Sequence, residues 1–320
     1  MRTFLRFGRF YIGFALISVL IAIIVIASCG SCAEAFSVPW LTGKVKEPGK
    51  FIAAYEQPTT DETAQVAELW KSRRLLENFV ESMNEFVRIP HNVQVVGKEC
   101  EEANASYDSA TRMIEICYEL AVDEQELFAS NGDTEEEAKE EAYNSIVGTL
   151  YHELGHALIG ELGLKITGRE EDVADQMAAY FFAKNEDMKD ILITVADSYA
   201  IAAARIDDAS ELRFYDVHSL DAQRSTNFLC YIYGSNPDIF KSIIKEEYLP
   251  ESRAEGCREE YLQLVGAWDS LLEPHLIQAP KSKEPNLSIG FTSLFDNIAQ
   301  GIGAGSAVPN NAATQPARAR

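Results

Sequence analysis

Residues 150–157 read Leu-Tyr-His-Glu-Leu-Gly-His-Ala, and no other run in the chain constrains its fold as tightly. An α-helix turns about 100° per residue, so on a helix His152 and His156 lie one turn apart on the same face. Two imidazoles so placed can hold one zinc ion. Glu153, on a neighbouring face, can reach a water bound to that ion. The local signals supply the helix. Thr134 followed by Glu137 has the spacing of a capping box, and the acids of the next turn suit the positive end of a helix dipole. From there Ala142, Ile146, Leu150, Leu154, Ala157 and Leu158 keep a helical period, and Gly163 offers an end. The acidic run from Asp123 to Glu141 then reads as a solvated helix start, broken at Asn131-Gly132-Asp133. A five-residue pattern also arises by chance, so its worth depends on the rest of a metal site.

A catalytic zinc site needs a third protein ligand and keeps its fourth position for water. The run Gly168-Arg169-Glu170-Glu171-Asp172-Val173-Ala174-Asp175 follows the motif, and a helix is expected from about Glu170 to Ala183. Glu171 and Asp175 are four apart, hence on one face of it. Glu171 can bind zinc while Asp175 accepts the N–H of a ligating histidine and fixes its tautomer. Glu170 and Asp172 stay open as alternative ligands.

His-Glu-x-x-His followed by Glu-x-x-x-Asp resembles the gluzincins, the thermolysin-like class of zincin metallopeptidases. The longer words Tyr-His-Glu-Leu-Gly-His-Ala-Leu, Gly-Arg-Glu-Glu-Asp-Val-Ala-Asp-Gln and His-Ser-Leu-Asp-Ala-Gln-Arg resemble an uncharacterised bacterial metallopeptidase family, over roughly residues 50–275. The resemblance implies His152, His156 and Glu171 as zinc ligands, Glu153 as general base and Asp175 as the support behind a ligand. It implies a peptide or protein substrate. The gap from His156 to Glu171 is shorter than the thermolysin-like class leads one to expect, which is why Glu170 and Asp172 stay open. Gluzincins commonly use a downstream His or Tyr to stabilise the oxyanion. His218 is the candidate here, with Tyr215 and Arg224 nearby; an ion pair with Asp221 or another acid is the plainer role for Arg224. In zincins a strand beside the site commonly binds the substrate backbone by strand addition, and residues 112–118 are the candidate, with an edge or buried strand of purely structural role as the alternative. His91 and His275 have no partner in the pattern and read as surface residues.

The remaining elements predict an α+β, mainly helical fold of zincin-like type, with a small sheet before the motif helix. Phe51–Tyr55, Val93–Val96 and Arg112–Tyr118 read as strands. Apolar spacing predicts one helix over Glu62–Val87, and further helices over about 188–206, 219–233, 237–246 and 257–272. The expected organisation is a leader at 1–35, a linker at 36–50, a metallopeptidase-like domain at 51–276 and a disordered tail at 277–320.

In the leader, Arg2, Arg6 and Arg9 precede an uncharged stretch from Phe10 to Ala33. Three fates are open: a membrane anchor through residues 10–33, a signal peptide cut before Phe36, or a lipoprotein signal at Cys29. All three export the remainder to an extracytoplasmic, bacterial setting. Beyond the leader stand Cys100, Cys117, Cys230 and Cys257. Their spacing suggests the disulfides Cys100–Cys117 and Cys230–Cys257 in an oxidising compartment, with the other pairings still open. A net charge of −22 on 320 residues argues against nucleic acid as a partner. Besides a peptidase, the same ligands would suit a metal-stabilised cell-envelope binding protein that turns over no substrate. A helical domain without metal is the third reading.

Overall fold

Short β-rich runs and amphipathic helices alternate through the first part of the chain, and helices alone follow Cys117. The computed structural model describes residues 47–183 and 188–277. The expectations for the leader, most of the linker and nearly all of the tail lie outside those residues. Among the described residues no helix is long and apolar enough to cross a membrane.

Strand β1 (Phe51–Tyr55) leads into helices α1 (Asp61–Ser72) and α2 (Leu75–Phe86). A single helix over 62–87 was the expectation. The structure breaks it at Arg74, whose φ of 55° is left-handed. The apolar period continues across the break, so sequence spacing does not reveal it. Arg73 is held by Glu140 at 2.7 and 3.0 Å and lies over the Tyr143 ring, a tertiary fixing point where the first helix ends. After α2 come β2 (Val93–Lys98), β3 (Ala105–Asp108) and β4 (Met113–Cys117).

The sheet order is β1-β2-β4-β3. β1 and β4 both run parallel to β2, while β3 runs antiparallel to β4. This corrects the expected role of residues 112–118 as the strand that takes a substrate backbone. β4 is hydrogen-bonded on both sides, so it has no free edge to offer. The edge beside it is β3, a polar four-residue strand whose Ala-Ser-Tyr-Asp composition carries little strand signal.

Helix α3 (Tyr118–Asn131) follows β4 directly and ends at Gly132, with φ 114°. Helix α4 (Glu135–Leu162) carries the motif. Its capping box between Thr134 and Glu137 and its left-handed end at Gly163 are as expected. Helices α5 (Glu170–Phe182), α6 (Lys189–Ala204) and α7 (Asp221–Ser235) come next, then short α8 (Ser242–Lys245) and α9 (Glu251–Ala254), and α10 (Cys257–Leu272). The expected helix over 237–246 shrinks to α8, because the chain after Asn236-Pro237 forms turns instead. The fold is α+β and mainly helical, with the small sheet ahead of the motif helix, as expected.

Helix α4 touches α3, α5, α6, β3 and β4. Sixteen of its 28 residues are buried, so a helix that begins with three exposed acids runs through the core between Ala138 and Ile159. It packs tightly against α5 at Gly155. A Cβ there would lie 2.7 Å from the Ala174 Cα. Both expected disulfides form: Cys100–Cys117 ties the β2–β3 connection to the end of β4, and Cys230–Cys257 joins α7 to α10.

Candidate metal centre

Helix α4 presents His152 and His156, and the first turn of α5 presents Glu171. The two Nε2 atoms are 3.2 Å apart. Glu171 Oε2 lies 3.3 Å from Nε2 of His152 and 3.1 Å from Nε2 of His156. Three ligands at about 2.0–2.1 Å from a tetrahedral zinc ion would be separated by about 3.3 Å. The triangle therefore has the size of one face of such a site.

The other ring nitrogens explain why these atoms face inward. Nδ1 of His152 is 2.8 Å from Asp175 Oδ1, and Nδ1 of His156 is 2.9 Å from Glu170 Oε1. A carboxylate at Nδ1 keeps the proton there and leaves the Nε2 lone pair free. Two such lone pairs 3.2 Å apart repel one another unless a cation or a proton stands between them. Nitrogen and carboxylate donors at this spacing fit a divalent cation. Glu170 is thus a partner of His156 on its far side and not a member of the triangle. Asp172 also points elsewhere: it binds Ser219 at 2.7 Å and Arg169 at 2.9 Å.

His218 reaches the centre from the connection between α6 and α7. Its Nε2 is 3.0 Å from Glu171 Oε2, and its Nδ1 is 3.3 Å from Asp216 Oδ1. His152, Glu171 and His218 also offer ligand atoms within 4.8 Å of one another. Asp216 was not foreseen; the Asp-x-His spacing was the available signal. Arg224 pairs with Asp175 rather than Asp221. Its Nε and terminal nitrogen donate to the two Asp175 oxygens at 2.9 and 2.6 Å, and its guanidinium lies 4.0 Å from the Tyr199 ring centre. Tyr215 is 87% exposed. His91, expected to be unpartnered, binds Glu161 at 2.9 Å, whereas the His275 backbone carbonyl accepts from Arg88 N.

Glu153 is 5% exposed, and its Oε2 is buried without a hydrogen-bond partner. Burial pushes its carboxyl above the usual range, while His152 and His156 pull it partly back. Burial disfavours a charged His152, but hydrogen bonds to Asp175 and Glu171 outweigh it and carry the imidazole to about 9. Hydrogen bonds from His152, His156 and His218 hold the Glu171 carboxyl far below its ordinary value. Burial opposes the Asp175 charge, yet His152 and Arg224 keep that carboxyl below its usual value. A cavity of about 1050 Å³ opens beside His218, lined among others by Ile206, Leu212, Tyr215 and Leu220.

A helix-borne histidine pair, a carboxylate closing the triangle and an uncommitted buried glutamate define a candidate hydrolytic metal centre. A family model described as "putative metallopeptidase" matches residues 55–272, more than half of the chain, and the chain belongs to that family. Membership carries a metal cofactor and a peptide or protein substrate. No match was found among curated proteins or solved structures.

Proposed function

We propose that the protein is an exported zinc peptidase of gluzincin type, with His152, His156 and Glu171 as the ligands. The observation that carries this reading is the triangle of Nε2, Nε2 and Oε2 atoms with edges of 3.1 to 3.3 Å. Its two-nitrogen, one-oxygen donor set is one that zinc accepts. Bound there, zinc supplies a Lewis acid and makes a water deprotonable near pH 7.

The chain's own residues do the rest. Glu153 takes a proton from the attacking water and returns it to the leaving amine, a role suited to a buried carboxylate with a raised affinity for protons. His218, whose hold on a second proton is raised chiefly by the Glu171 carboxylate and also by Asp216 at Nδ1, donates as the imidazolium from Nε2 to the oxyanion that develops on the peptide carbonyl. Asp175 and Glu170 hold the ligand imidazoles in the zinc-binding tautomer. The free edge of β3 stands beside α4, where an extended peptide can add to the sheet. The two disulfides, with the apolar stretch at residues 10–33, support an extracytoplasmic setting.

The test compares wild type with Glu153→Gln for zinc content and for cleavage of a peptide library. The variant should keep its zinc and lose activity by about 10²- to 10⁴-fold. Full activity in the variant would refute the mechanism. Bound zinc in a wild type that cuts nothing would instead favour a metal-stabilised envelope binding protein.

A further inference from the structure

We propose that Ser219, gripped by Asp172 and Arg169, is a positioning residue that fixes His218 beside the metal centre. The proposal rests on the peptidase reading above and adds to it the device that keeps His218 in place. The three proposed ligands come from α4 and α5, whereas His218 belongs to the connection spanning residues 205–220. Much of that connection is exposed: Phe214 by 76%, Tyr215 by 87% and Val217 by 64%. Its turns close upon themselves, through Asp208 to Ser210 N and Asp216 to His218 N. Such a segment holds a catalytic side chain steady only if something outside it takes hold.

Two contacts with the first turn of α5 do so. One is His218 with Glu171, at 3.0 Å. The other is a closed ring next to it in sequence. The Ser219 hydroxyl donates to Asp172 Oδ1 at 2.7 Å and accepts from an Arg169 terminal nitrogen, while Arg169 Nε donates to Asp172 Oδ2 at 3.0 Å. Arg169 is the N-cap of α5 and Asp172 follows Glu171, so the ring is built on the turn that carries the proposed ligand. The two contacts are not equivalent. Glu171 Oε2 cannot serve a cation and His218 together at full strength, so loading the centre weakens the first. The ring shares no atom with the triangle and persists. It also accounts for Asp172, which like Glu170 stands outside the proposed ligand set in Arg169-Glu170-Glu171-Asp172.

Hydrogen-exchange mass spectrometry of the full chain, with and without zinc, reads the hold directly. Ser219→Ala should speed exchange of amides in residues 212–220 by about tenfold, the worth of one charge-assisted hydrogen bond, and Ser219→Thr should exchange as wild type does. In the zinc-loaded enzyme Ser219→Ala should lower kcat about tenfold with zinc affinity held within about twofold, and Ser219→Thr should restore kcat. Placed in a His218→Ala background, Ser219→Ala should cost nothing more, because it acts through His218. Unchanged exchange, unchanged kcat, or an equal loss in the His218→Ala background would each overturn the proposal. If the wild type cleaves no peptide, the peptidase reading fails, while the exchange measurement still decides whether the ring holds the loop.

Discussion

Replacing Gly155 by alanine tests how the centre is assembled. Gly155 sits between the two motif histidines on the face of α4 that meets α5. A Cβ at this position would meet the Ala174 Cα at 2.7 Å, its Cβ at 3.1 Å and the Met177 Cβ at 3.2 Å. Ordinary carbon contacts are about 3.5–4.0 Å, and the nearest atom is backbone, so α5 must retreat by roughly 1 Å. Glu171 stands one turn before Ala174 and moves with it. The 3.1 and 3.3 Å edges it makes with the histidines then open to about 4 Å, beyond the roughly 0.2 Å tolerance of a zinc bond. Overpacking of this kind costs about 1–3 kcal/mol, against about 1 kcal/mol gained from alanine's helix propensity. Gly155→Ala should therefore unfold at a lower temperature, bind zinc more weakly in a competition assay with a chromophoric chelator, and lose about a hundredfold in turnover. Gly266→Ala is the control: it lies within α10 with nothing within 4 Å of the added Cβ, and should be neutral or stabilising. A Gly155→Ala protein that binds zinc as wild type does, and unfolds no sooner, would refute the argument.

Further outcomes follow from the charges around the centre. Asp175→Asn removes the ionic support behind His152 and leaves buried Arg224 without its counter-charge, so zinc affinity should fall about 10- to 100-fold and the melting temperature should drop; unchanged affinity by calorimetry would contradict it. Asp197 on α6 is raised from 3.8 to about 7 by burial, with Glu141 and Asp133 adding to the rise. A raised carboxyl keeps its proton in the folded state and loses it in the unfolded chain, so its presence lowers stability progressively from about pH 4 and fully above about pH 7. That interval is worth at most about 4 kcal/mol. Asp197→Asn should accordingly raise the melting temperature at pH 8 and leave it nearly unchanged at pH 4, whereas equal shifts at both would show that the effect is not ionisation.

The motif helix was legible because its signals are local. A capping box is a contact over three residues, and an apolar stripe is a property of one helix. Thr134, Gly163 and the start of α5 near Glu170 all stand where these rules put them. The face shared by Glu171 and Asp175 was legible for the same reason. Local rules were silent on the break at Arg74, where the apolar period runs on and the fixing contact is with Glu140, 67 residues from Arg73. They were equally silent on β3, whose strand character comes from its partner β4.

The sequence by itself determined that two histidines share a helix face and that acids at helical spacing follow. Only the tertiary structure decided what each acid does: Glu170 behind His156, Glu171 in the triangle, Asp172 on Ser219, and Asp175 between His152 and Arg224. Helix geometry turns neighbouring residues by about 100°, so the three consecutive acids Glu170, Glu171 and Asp172 necessarily point in different directions, while Asp175 returns to the face of Glu171. Which direction meets the histidines depends on where α4 and α5 cross, and the close packing of Gly155 against Ala174 helps to set it.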